Sequence, residues 1–84
     1  MHTPEVSRFQ HTRMQGARRT YDVTLNVTRR NSGVFAYAAW VQFQAEYKGS
    51  GLMLPLVATT REHAMHEART RIQKEIDHLI GVVE

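Results

Sequence analysis

Cysteine is absent, which excludes disulfides and thiolate metal sites together and leaves packing as the source of stability. Long apolar runs are absent too. The longest covers residues 34–41, far short of the roughly 18 to 20 residues that span a bilayer. The N-terminus has only scattered Val6, Phe9, Met14 and Ala17 where a secretory leader would carry an apolar core, so a soluble protein of the cytoplasm is expected, with no membrane partner. Catalytic constellations are missing as well. Asp22 and Asp77 are the only aspartates, Ser, His and acid do not recur in a known arrangement, and no glycine-rich loop precedes a helix. The expectation is a chain that is not an enzyme, with no cofactor, no metal and no small-molecule substrate. Its 84 residues allow one core and no large enclosed pocket.

Charge is present but unevenly placed. Residues 1–20 carry Arg8, Arg13, Arg18 and Arg19 against Glu5 alone, which is the whole net charge of +3; residues 21–84 hold seven basic and seven acidic side chains. Residues 1–19 are polar, with apolar residues at no fixed period, and read as a flexible basic tail. A polyanion would meet Arg8, Arg13, Arg18 and Arg19 first. Residues 20–84 read as a single β-β-β-α domain.

Within that domain Tyr21, Val23, Leu25 and Val27 alternate with Asp22, Thr24, Asn26 and Thr28, the pattern of a half-buried strand. Residues 29–33, RRNSG, supply a turn in which Asn31 or Gly33 takes positive φ. Residues 34–47 then read as one long strand. Phe35, Tyr37, Ala39, Val41, Phe43, Ala45 and Tyr47 share a face, while the other parity begins apolar at Val34, Ala36, Ala38 and Trp40 and turns polar at Gln42, Gln44 and Glu46. Gly49, Ser50 and Gly51 are the expected second turn. Residues 52–58 form a third strand, at an edge because Pro55 cannot donate to a central ladder. Thr59 with Glu62 has the spacing of a helix capping box. Ala64, Met65, Ala68, Ile72, Ile76, Leu79, Ile80 and Val83 make one apolar stripe, and Gly81 is the expected stop.

The fold class that follows is α+β: a three-stranded antiparallel meander, the long strand central, with one C-terminal helix packed on the odd-numbered face. Fourteen residues of strand run about 46 Å, and the helix covers about 31 Å. The strand therefore has to bend, with a bulge near Ala38 and Ala39, or its apolar half has to be covered by the tail or a second copy.

Four groups of residues are candidate sites. Trp40, with Ala36 and Ala38 beside it, points away from the core as a platform for bases or a partner protein, unless the register slips and turns it inward. Asn26, Thr24, Thr28, Gln42 and Gln44 make an uncharged outer face able to read base edges, or simply a solvated one, and Asp22 and Glu46 weigh against polyanions there. Arg18, Arg19, Arg29 and Arg30 would form an anion site if they converged, but a strand holds the two pairs roughly 26 Å apart. His63, His66 and Glu67 share a helical face, which suits a shared metal ion or plain solvation; the pattern is not H-E-x-x-H.

The helix start TTREHAMHEARTRI after a meander, with Thr59, Glu62, Ala64 and Ala68 in place, resembles the small HicB-like β-β-β-α domains over about residues 20 to 80. The chain also resembles the last four elements of a double-stranded-RNA-binding domain. The first reading is a small bacterial-type protein-interaction domain whose partner is another protein or itself, a homodimer joined through its sheet. The second is a nucleic-acid-binding module in which the arginines supply affinity and the outer face supplies contacts.

Overall fold

The computed structural model of the chain describes residues 5–50 and 54–83. It is α+β, an antiparallel meander with one C-terminal helix. The alternating segment is strand β2 (Thr20–Arg29), which buries Tyr21, Val23, Leu25 and Val27 on one face. It turns where Arg30 N donates to Val34 O and Gly33 N to Arg30 O, with Gly33 at φ 90°, a conformation that favours glycine. The return strand β3 (Phe35–Phe43) pairs with β2 without interruption, from Arg29 opposite Phe35 to Asp22 opposite Gln42. As its parity predicts, Phe35, Tyr37, Ala39 and Val41 enter the core.

Residues 5–19 depart from the flexible-tail expectation. Strand β1 (Glu5–Thr12) pairs with β2 along its whole length, from Glu5 opposite Val27 to Thr12 opposite Thr20. Its inward positions are Ser7, Phe9 and His11, of which only Phe9 is strongly apolar, so the period of two is faint. Residues 1–4 lie outside the described part.

The long strand is also shorter than expected. It ends at Phe43, and residues Gln44 and Ala45, with φ of 50° and 66°, turn the chain into strand β4 (Glu46–Ser50). A two-residue loop with both φ positive matches the right-handed twist of the flanking strands. Gly49 and Ser50 thus belong to a strand rather than to the turn, and Ala45 and Tyr47 are exposed rather than in the core. The pairing of β3 with β4 shifts between Val41 and Gln42, leaving Lys48 without an opposite residue; the bulge lies there, not near Ala38 and Ala39. With β3 cut to nine residues and the helix over its inner face, the apolar half needs neither a tail nor a second copy to cover it.

Strand β5 (Leu54–Pro55) pairs with the first part of β3 on the edge it shares with β4, and Leu56 N donates to Phe35 O. It is the edge strand that Pro55 requires, though shorter than 52–58; residues 52 and 53 lie outside the described part.

Helix α1 (Arg61–Asp77) starts one residue later than the capping pattern suggests. Thr60 is its N-cap, and the Thr60 hydroxyl accepts from His63 N at 3.3 Å. Ala64, Ala68, Ile72 and Ile76 are buried against β2 and β3, with the two alanines allowing close approach. The helix stops short of Gly81. Leu79 takes φ 53°, its N–H bonds to Ile76 O, and Ile80 N–H reaches Glu75 O, which is the Schellman closure with leucine where glycine is usual. Ile80 and Val83 are therefore exposed, and Val82 is buried instead, in a bridge to Gly49. A Cβ on Gly49 would collide with the backbone oxygen of Gly81, so only glycine permits this approach.

Candidate functional site

Because α1 covers one face of the sheet, the other carries side chains that no described helix packs against. Register places them in rows. One row is Arg8, Thr24 and Trp40; the next is Gln10, Asp22, Gln42 and Tyr47; a third is Val6, Asn26 and Ala38. Strand spacing puts Arg8 and Trp40 about 10 Å apart in a single row. Gln10 Nε2 donates to Asp22 Oδ1 at 3.0 Å, so the one acidic group in these rows is already bonded to an amide. Thr28 Oγ1 donates to Asn26 Oδ1 at 3.4 Å. A shallow depression of about 520 Å³ opens here over Arg8, Phe9, Gln10, Asp22, Val23, Thr24 and Gln42.

Trp40 lies outward, opposite Thr24, and is 37% exposed; the register has not slipped. Tyr47, expected in the core, stands on this open face at 54% exposure because the two-residue loop at Gln44 and Ala45 sets Glu46 opposite Phe43 and Tyr47 opposite Gln42, which inverts its parity. Ala36 and Ala38, expected as an exposed patch beside Trp40, are 0% and 2% exposed. Their single methyls stand opposite the taller Thr28 and Asn26. Glu46 leaves the face as well. It lies opposite Phe43 on the inward parity, with Lys48 Nζ 3.4 Å from its carboxylate.

The arginines expected to act as one tail disperse. Arg8 joins the open face. Arg13 is buried at 9% exposure: its Nε donates to Asp77 O at 3.1 Å and its Nη1 to Gln15 O at 2.9 Å. Arg19 lies over the Phe43 ring at 4.6 Å, and Arg18 is exposed in the β1–β2 loop. Arg29 and Arg30, exposed, occupy the opposite end of β2, so the two pairs do not converge. Arg29 faces Phe35 on the inward parity, away from Trp40.

On the helix side the polar groups are committed to the fold. Glu67, paired in the sequence with His63 and His66 as a ligand set, accepts from Val57 N at 3.0 Å and Ala58 N at 2.8 Å. The Val57 N–H foremost, then Ala58 and Arg71, hold its carboxyl below the usual range against the effect of burial. Among the described residues no group of three or more His, Asp or Glu side chains converges. Arg69 stacks on Phe9 and Arg71 on Tyr37, and Arg71 Nη1 donates to Pro55 O at 2.7 Å. Burial first, and Glu75 second, push the Tyr37 hydroxyl up to about 12; it donates to Glu75 Oε1 at 3.1 Å.

A smaller hollow of about 270 Å³ lies between the end of β1 and the end of α1, lined by His11, Thr12, Met14, Gln15, Asp77 and His78. His11 Nε2 is 2.8 Å from Asp77 Oδ1, but the neighbouring Thr12 hydroxyl is already bonded to that of Thr20, so the pair ties strand to helix. No described helix is long and apolar enough to cross a membrane.

Sequence reasoning selected Trp40, Gln42 and Asn26 on this face, placed Arg8 as a polyanion contact in a tail and not on the sheet, and missed Gln10 and Tyr47. The alternation of Val6, Arg8, Gln10 and Thr12 with Ser7, Phe9 and His11 was the available signal for Arg8 and Gln10. No protein-family model, curated protein or solved structure matches this chain, so nothing in those comparisons bears on either resemblance.

Proposed function

We propose that the chain is a nucleic-acid-binding module, not an enzyme, and that its contact surface is the open face of the sheet. The observation that carries this reading is the placement of β1, which sets Arg8 and Gln10 beside Thr24, Trp40 and Gln42. The charge objection weakens with that arrangement, because Arg8 is added, Glu46 is removed and Asp22 is bonded to Gln10. An exposed indole and phenol supply faces for base stacking, worth roughly 1–3 kcal/mol per base. Asn and Gln amides bond base edges, and arginine pairs with phosphate.

Trp40 is the sole tryptophan, so its fluorescence reports the site directly. Titration with short mixed-sequence oligonucleotides, single-stranded and duplex, at low salt should quench it, with amide shifts at Asn26, Gln42 and Arg8. Arg8→Ala should lower affinity uniformly and reduce the salt slope by about one. Trp40→Ala should cost roughly five- to a hundredfold. Unchanged fluorescence and unchanged amides with both oligonucleotide forms would refute the reading.

Docking of another protein is the second reading, favoured by Val6 at 56% exposure together with Tyr47 and Trp40. In that case the same amides shift with the partner, with little dependence on salt.

A further inference from the structure

We propose that two copies of this chain join edge to edge along β1, antiparallel about a two-fold axis at Phe9. The sheet treats its two edges differently. On the β3 side the edge is divided between β4 and β5, carries Pro55 and is broken by a bulge at Lys48, the devices that discourage strand addition. Strand β1 pairs only with β2 among the described strands, and its eight residues keep an unbroken register without proline, lysine or bulge. A regular edge of that length is a template for another strand.

The side chains select the second copy and its register. Directly opposed residues in an antiparallel pair point to the same face, so a symmetric pairing centres on a residue. Centring on Arg8 sets like charges against each other, and centring on Gln10 shortens the overlap. Centring on Phe9 pairs Val6 through Thr12, seven of the eight residues. It brings the two Phe9 rings together on the inner face, where Phe9 is only partly buried and Arg69 lies over it at 4.4 Å. On the outer face it sets Arg8 of each copy opposite Gln10 of the other, next to the Asp22 that Gln10 bonds. The two-fold axis makes this contact twice. The joined sheet would present both open faces as one surface, but the pairing stands independently of what binds there.

The chain has no cysteine, so F9C introduces a single thiol. Under mild oxidation F9C should cross-link to a disulfide dimer. T12C should not, because the two copies of that residue would lie about 20 Å apart, beyond the roughly 4–7 Å that a disulfide bridges. Sedimentation of the unmodified chain without nucleic acid, from micromolar to near-millimolar concentration, should show a monomer–dimer equilibrium. Q10K should weaken it about tenfold by facing Arg8 with like charge, and R8E combined with Q10K should restore it. A monomer at every concentration, or cross-linking of T12C as readily as F9C, overturns the proposal whatever the oligonucleotide titration shows.

Discussion

Gln44 and Ala45 hold a hairpin loop at φ of 50° and 66°, where a side chain crowds the following carbonyl at roughly 1–2 kcal/mol per residue. Neither is a usual residue for such a loop, and both are exposed. Replacing them with Asn and Gly (Q44N/A45G) should raise stability by about 1–2 kcal/mol, read as a higher urea midpoint with unchanged m-value. Tyr21 offers the complementary case. Its ring is fully buried beside Phe43, while its hydroxyl has no partner among the described residues. Tyr21→Phe should leave stability unchanged or raise it by up to about 1 kcal/mol, since an unpaired buried hydroxyl costs folding free energy. A clear loss in thermal melts would point to an acceptor supplied from elsewhere. Both positions explain why sequence reading stumbled locally: Gln-Ala carries no turn signal, and an alternating Tyr does not announce whether its hydroxyl is bonded.

Contacts between elements rest on a few side chains that bond backbone. Arg13 ties the β1–β2 loop to the carbonyl of Asp77 at the end of α1. Arg13→Ala should cost about 1.5–3 kcal/mol in denaturant unfolding, the range for a buried hydrogen bond to a charged group. Glu67 joins α1 to the segment after β5 through two N–H groups. Its carboxyl is depressed in the fold, so its contribution is complete above the ordinary value near 4.5 and is lost as pH falls through the lower folded value. The Val57 and Ala58 amide signals should hold from neutral pH down to that value and then shift, and Glu67→Gln should abolish the transition. At this scale the start of α1, to within one residue, and its Ala64, Ala68, Ile72 and Ile76 stripe were legible from spacing, the cap being Thr60 where Thr59 was expected. The end was not, because Leu79 adopts the left-handed turn while Val82 docks beside Gly49.

Over the whole molecule the largest revision is the N-terminal segment. A flexible tail could be removed without effect. Deleting residues 1–12 should instead strip β2 of a full-length partner and uncover the core beside Phe9, giving a lower melting temperature or loss of the cooperative transition by circular dichroism. The sequence by itself determined the inward face of β2, the edge position of Pro55 and the helix that closes the core, while the outward position of Trp40 was one of two registers that the sequence left open. Each of the first three follows from a strong local period or from the missing N–H of proline. Only the tertiary structure decided where the long apolar segment breaks, where residues 5–12 go, and hence which arginine reaches the open face. An edge strand with one aromatic inward residue has little pattern of its own, and its eight pairings with β2 arise only once β2 is already in place.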